Sequence, residues 1–143
     1  MSLVGKKFPS VTVDAITKSG ENLRLNILDE AVSKQTKVLL FWYPKDFTFV
    51  CPTELHAFQA AIEEFKNRNT IVIGASCDTN EVHFAWLCTP KNQGGIEGVT
   101  YPLLADTHRQ LANILGIVDQ DFEYDEEGNE TFTGSNVTYR ATY

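Results

Sequence analysis

Hydrophobic positions along the chain follow three kinds of pattern. Lys37-Val38-Leu39-Leu40-Phe41-Trp42-Tyr43 and Thr70-Ile71-Val72-Ile73-Gly74-Ala75 are apolar at successive positions. Runs of this kind put apolar side chains on both faces of a strand, so they predict two central strands covered on each side. Between them Leu55, Phe58, Ile62 and Phe65 recur at i, i+3, i+7 and i+10, with Glu63, Glu64 and Lys66 on other faces. That spacing predicts an amphipathic helix facing a sheet. Strand, helix, strand with both strands buried is a βαβ unit, whose crossover is expected to be right-handed. Upstream, residues 8–16 alternate loosely through Val11, Val13 and Ala15. Lys18-Ser19-Gly20-Glu21 is a turn signal, and Leu23, Leu25 and Ile27 resume with period two. An N-terminal β-hairpin is therefore expected.

In the second half, Glu81 to Leu87 reads as a short helix and Thr89 to Gly95 as a loop. Val99 to Leu104 is a further strand, and Asp106 to Leu115 a helix stopped by Gly116. Ile117-Val118 opens a strand or turn, Asp119 to Glu130 is acidic and polar, and Thr138 to Tyr143 alternates with aromatic residues as a strand does. The fold class is α/β with a mixed central sheet. No repeat, low-complexity tract or linker interrupts the pattern, so residues 1–143 are read as one domain.

Composition narrows the function. The balance of 43% hydrophobic and 22% charged residues is that of an ordinary globular protein. Pro44 closes the longest apolar run far short of the ~20 residues a bilayer demands, so no membrane association is expected. Lys6 and Lys7 follow too few apolar residues to form a secretory signal, which points to the cytoplasm. Twelve Lys and Arg against 19 Asp and Glu leave a formal charge of −7, unfavourable for nucleic acid or an anionic membrane. Three cysteines, an odd count, leave at least one thiol free.

One of those thiols sits in an informative place. Tyr43-Pro44-Lys45-Asp46-Phe47-Thr48-Phe49-Val50-Cys51-Pro52-Thr53-Glu54 links the end of the first central strand to the amphipathic helix. Crevices at that edge of an α/β sheet are where ligands usually bind. Pro52 suits the opening turn of a helix, where its missing N–H costs nothing, so Cys51 falls at or beside the first turn. The thiolate is the attacking species, and helix N-termini and cationic neighbours favour it. Thr48, three residues earlier in a loop stiffened by Pro44, can set a hydroxyl donor and acceptor beside the sulfur.

Pro44-x-x-x-Thr48-x-x-Cys51 resembles the PxxxTxxC signature of peroxiredoxins. Phe49-Val50-Cys51-Pro52-Thr53-Glu54 is similar to the typical 2-Cys branch that includes bacterial alkyl hydroperoxide reductase (AhpC). The likeness continues through Phe84-Ala85-Trp86-Leu87-Cys88-Thr89-Pro90, Gly94-Gly95, Tyr101-Pro102-Leu103-Leu104-Ala105-Asp106 and Val137-Thr138-Tyr139-Arg140-Ala141. The resemblance implies a thioredoxin-like fold with an N-terminal β-hairpin and the reduction of hydrogen peroxide and organic hydroperoxides without metal or other cofactor. It makes Cys51 the peroxidatic nucleophile and Thr48 the residue that orients the peroxide. Pro44 then shields the sulfur, Arg140 favours the thiolate and stabilises the leaving oxygen, and Glu54 holds the arginine. It also implies an external thiol reductant, thioredoxin-like or AhpF-like, and a homo-oligomer when the C-terminal segment is present.

That segment, with the resolving cysteine, is absent from these residues, as are the family's last core strand, final helix and second arginine. Neither Cys77 nor Cys88 matches the resolving position. Both read as packing or bystander thiols. Other readings stand beside this one. A thioredoxin-type exchanger needs Cys-x-x-Cys, whereas Cys51 is followed by Pro52, Thr53 and Glu54. The alternative is a non-catalytic or chaperone-like oligomeric fragment of the same fold, whose apolar surface, left by the missing strand and helix, would favour association. A calcium loop over Asp119, Asp121, Glu123 and Glu130 has Tyr124 where the turn requires glycine. A zinc site from Cys77, His83 and Cys88 lacks paired-ligand spacing.

Overall fold

The computed structural model describes residues 2–143. β1 (Thr12–Ile16) and β2 (Asn22–Asn26) form the expected hairpin, antiparallel from Thr12↔Asn26 to Ile16↔Asn22. The first strand is shorter than its alternation suggested, since its partner ends at Asn26, opposite Thr12. Ile27 does not extend the second. It opens α1 (Ile27–Ser33), because Asn26 Oδ1 accepts the backbone N–H groups of Leu28 and Asp29 at 3.1 and 3.3 Å. A cap of this kind satisfies donors that the first helical turn leaves free.

β3 (Lys37–Trp42) and β4 (Thr70–Ser76) are the two apolar runs, paired in parallel from Lys37↔Thr70 to Trp42↔Ala75. The crossover between them is two helices, not one: α2 (Cys51–Ala60) and α3 (Ile62–Asn67), which meet at Ala61. Next come α4 (Asn80–Cys88) and a single 3-10 turn at Lys91–Gln93. β5 (Leu103–Ala105) starts late because Val99 N–H is spent on a turn to Ile96 and Pro102 has none. α5 (Gln110–Leu115) also starts later than predicted. Asp106 reaches forward to accept Ala112 N–H at 2.8 Å, while Arg109 turns through φ +54°.

The segment that the sequence shows only as acidic and polar carries two strands. β6 (Asp121–Tyr124) and β7 (Glu130–Thr133) form a separate antiparallel hairpin, with Phe122 directly opposite Phe132. β8 (Ala141–Thr142) closes the main sheet against β3. The six strands run in the order β2-β1-β5-β4-β3-β8, with the β3–β4 and β4–β5 pairings parallel and the other three pairings antiparallel. This is the mixed sheet expected of a thioredoxin-like fold.

Alternate residues of the central strands feed two cores, one on each face. Leu40, Trp42, Ile73, Ala75 and Leu104 meet Leu111, Ala112 and Leu115 of α5. Phe41, Tyr43, Val72 and Leu103 meet Leu55 of α2 and Trp86 and Leu87 of α4. Cys51 belongs to this second core, so the thiol is built into a packed face rather than hung on a loop.

Candidate active site

Cys51 is the first residue of α2, Pro52 follows it, and the preceding Val50 provides no side-chain cap. The thiol is 1% exposed. The cation that reaches it comes from the other end of the sequence. Thr138 Oγ1 donates to the Tyr43 carbonyl at 2.9 Å, and Ala141 pairs with Trp42, so Arg140 is held at the end of β3 facing the start of α2. From there Arg140 Nη2 stands 3.5 Å from Cys51 Sγ, and its Nε donates to Glu54 Oε1 at 2.9 Å. Glu54 lies one helical turn beyond Cys51, and its second oxygen, Oε2, is enclosed without a hydrogen-bond partner. A guanidinium set between a carboxylate and a sulfur is complementary to negative charge on that sulfur.

The structure thus joins three of the residues singled out from the sequence. The other two lie close along the chain but in different roles. The Thr48 hydroxyl does not hydrogen-bond to the sulfur; it donates to the Lys45 carbonyl at 3.2 Å, closing a turn within the loop. Thr48 instead lines a surface groove of about 350 Å³ beside the start of α2, with Phe49, Pro52 and His56. Pro44 follows β3 and lines a second, polar depression of about 240 Å³, together with Lys45, Cys77 and Arg109.

All three thiols are free. Cys77 is half-buried, and burial, with the nearby charge of Asp106, pushes it up to about 11. Cys88 ends α4 in an exposed position. The imagined zinc group of Cys77, His83 and Cys88 does not assemble. His83 gathers with Asp46 and Asp78 instead, their ligand atoms all within 4.8 Å of one another, and these atoms are already engaged in hydrogen bonds.

That second cluster was not legible from the sequence. Asp46 Oδ1 accepts the Tyr43 hydroxyl at 2.7 Å, and Asp46 Oδ2 lies 2.6 Å from His83 Nδ1. His83 Nε2 donates to the Leu104 carbonyl at 2.9 Å. The backbone N–H of Asp46 donates to Asp78 Oδ2 at 2.9 Å, which also accepts Ser76 Oγ–H at 2.6 Å. Burial opposes a charged imidazole at His83, but the hydrogen bond and charge of Asp46 and the Leu104 carbonyl outweigh it. His83 therefore holds its proton above the ordinary histidine range. Burial likewise raises Asp46, against the opposing pull of His83. Both directions describe a proton retained between Nδ1 and Oδ2. Without it, two lone pairs would face each other.

A mixed sheet with a buried cysteine opening the crossover helix, and an arginine brought onto the sulfur from just before the last strand, defines a thioredoxin-like protein with a thiol site. The AhpC/TSA family model matches residues 4–143, and the chain belongs to that family. Peroxiredoxin-1 of Gekko japonicus is 43% identical over 118 residues, covering 82% of this chain and 58% of the relative. Alkyl hydroperoxide reductase C of Helicobacter pylori is 39% identical over 119 residues, covering 83% and 60%. Among solved structures, the reduced 2-Cys peroxiredoxin of Plasmodium vivax superposes with a TM-score of 0.75 at 28% identity, over 94% of this chain and 86% of that one. The chain spans less than two thirds of the length of these curated relatives.

Proposed function

We propose that the chain is a thiol-dependent peroxidase in which Cys51 reduces hydrogen peroxide and organic hydroperoxides. The single observation that carries this is the Arg140 guanidinium 3.5 Å from a buried cysteine sulfur, steadied by Glu54. A non-catalytic assembly has no use for that arrangement.

The Cys51 thiolate attacks the terminal peroxide oxygen. The S–O bond forms as the O–O bond breaks, and the departing oxygen takes a proton and leaves as water or alcohol. The sulfur, oxidised by two electrons, becomes a sulfenic acid. Arg140 acts where charge moves from sulfur to the leaving oxygen, the kind of fixed donor that supplies much of catalysis. Thr48 lines the groove beside the helix start, and its hydroxyl, once released from Lys45, can donate to and accept from the peroxide. Pro44 fixes the path of the chain out of β3 and screens the sulfur. An external reductant, thioredoxin-like or AhpF-like, closes the cycle. One thiol attacks Sγ, water leaves, and a second thiol resolves the mixed disulfide. The names of the relatives support this substrate class. A cytoplasmic homo-oligomer, formed when a C-terminal segment is present, completes the reading.

Rapid mixing with hydrogen peroxide, followed by intact mass, tests it. One oxygen atom should add to Cys51 far faster than to free cysteine, and Cys51→Ser should abolish the fast phase. A Cys51 that reacts no faster than free cysteine overturns the proposal.

A further inference from the structure

Between Pro44 and Cys51 the chain is largely exposed: Lys45, Phe47, Phe49 and Val50 face solvent, and Thr48 is half-buried. Asp46 is the exception, at 3% exposure. A carboxylate taken out of water in the middle of an exposed loop is costly unless its oxygens are paired. Here both are, one with Tyr43 just after β3 and one with His83 of α4, while the same residue's N–H is tied to Asp78 after β4. His83 is in turn fixed by the Leu104 carbonyl of β5. One loop residue is thereby bound directly to three separate parts of the fold and, through His83, to a fourth.

Two further observations show that the path of the loop is set at this point. Phe47, directly after Asp46, is held at φ +56°, a left-handed conformation that a non-glycine residue keeps only when its surroundings impose it. Its ring packs against Trp86 with centroids 6.0 Å apart. And α2 begins without a side-chain cap at Val50, so no local hydrogen bond of that kind positions the helix start. The nearest buried polar anchor upstream of Cys51 is Asp46.

We infer that Asp46 and His83 are positioning residues for the proposed peroxidase reaction: their buried contact anchors the β3–α2 loop and so keeps Cys51 enclosed against Arg140. The inference rests on the peroxidase reading for its catalytic consequence, but not for its geometric one. Neither residue touches the sulfur. Each acts by holding the loop whose far end carries it. Asp46→Asn keeps the size of the side chain but removes the charge that holds the shared proton. His83→Gln can reach one of the two acceptors that imidazole bridges, but not both, and His83→Leu reaches neither.

The experiment measures two rates on the full chain at one fixed pH. Alkylation of Cys51 by iodoacetamide, located by peptide mass, reports how often the buried thiol is uncovered. Oxidation by hydrogen peroxide reports whether it still meets Arg140. In Asp46→Asn and His83→Leu, alkylation should rise about tenfold and peroxide oxidation should fall about tenfold, the scale expected for losing one charge-assisted hydrogen bond. His83→Gln should fall between them and wild type. Asn26→Ala, which weakens the cap of α1 without touching the loop, should move neither rate. Opposite movement of the two rates that Asn26→Ala does not share separates loss of this anchor from general destabilisation. Wild-type alkylation rates in the variants, or an equal rise in Asn26→Ala, overturn the inference. Should Asp46→Asn fail to fold, the two His83 variants carry the test. A wild-type Cys51 that peroxide oxidises no faster than free cysteine would remove the peroxidase reading, and the alkylation rates, which involve no peroxide, would still decide whether the pair holds the thiol.

Discussion

Arg140 is only partly enclosed, its side chain 44% exposed, and Glu54 is 33% exposed, so their pairing contributes little to stability in water. Its value lies in geometry. The planar guanidinium meets Glu54 through Nε and Cys51 through Nη2 at once, which a single ammonium on a flexible stem does not reproduce. Arg140→Ala should therefore slow peroxide oxidation of Cys51 about 100-fold, the usual loss for one fixed donor to developing charge. Arg140→Lys should recover only part of that, and Glu54→Gln, which keeps an acceptor but loses the charge, should cost about tenfold. Rapid-mixing rates, with unfolding curves as a companion measurement, separate the two effects: oxidation falls while the denaturation midpoint stays near wild type. An Arg140→Ala protein that oxidises at the wild-type rate would mean the guanidinium is not catalytic. At this scale the sequence was informative about Cys51, Arg140 and Glu54 because a motif marks them. It was silent about Asp46 and His83, whose meeting across 37 residues depends on how α4 packs over the loop.

Elements are legible where burial is two-sided and obscure where one local bond decides. β3 and β4 announce themselves because both faces are covered, leaving no polar residue to disguise the run. The break at Ala61 leaves no trace in the pattern. Leu55, Phe58, Ile62 and Phe65 keep helical spacing across it, and no proline or glycine stands there. α1 is hidden because period two runs on into Ile27, although Asn26 followed by Asp29 and Glu30 is a readable cap with acids in the first turn. The β6–β7 hairpin reads as a loop because its residues are charged. Its turn is set by Asp125, whose Oδ1 accepts the N–H groups of Glu127 and Asn129 at 2.9 and 2.8 Å, with Gly128 at φ +84°. At its base Asp119 N–H and carbonyl bond to Val137 and Asn136, and a side chain at Gly134, φ +98°, would strike the Asp119 carbonyl. The two ends therefore adjoin without the hairpin. Replacing residues 121–133 by a short Gly-Ser turn should change stability by no more than about 1 kcal/mol, since shortening a surface loop has a small entropic effect. Cys51 oxidation should be unaffected. A marked loss of either, by urea unfolding or rapid mixing, would show that the hairpin supports the fold or the site.

Across the whole molecule, several buried or half-buried titratable groups shift in one direction. His83 and Asp46 hold a proton between them, burial pushes Cys77 up to about 11 from an ordinary 9.0, and burial raises Tyr43 and Tyr101. In each case the folded protein binds a proton more tightly than the unfolded chain, so stability falls as pH rises through the range where only the unfolded chain has released it. The contribution of His83 is complete below the unfolded histidine value of about 6.5 and is lost as pH climbs through its raised folded value. That of Cys77 is complete below 9.0 and lost between there and about 11. Urea unfolding from pH 6 upward should accordingly show a decline in two stages. His83→Gln should lower stability at pH 6 and flatten the first stage. Cys77→Val, which keeps an apolar side chain of similar size, should leave the first stage intact and flatten the second from pH 9.0 to about 10, above which the unfolded chain's tyrosines also release their protons. The exposed carboxylates Asp119 and Asp125 are lowered by their hydrogen bonds to Ser135 and Asn129, so their contribution is present at neutral pH and disappears only in acid, outside this window. A Cys77→Val curve that runs parallel to wild type up to pH 11 would show that the thiol is not the source of the second stage. A His83→Gln curve with an undiminished first stage would show that the buried pair does not hold its proton in the folded protein.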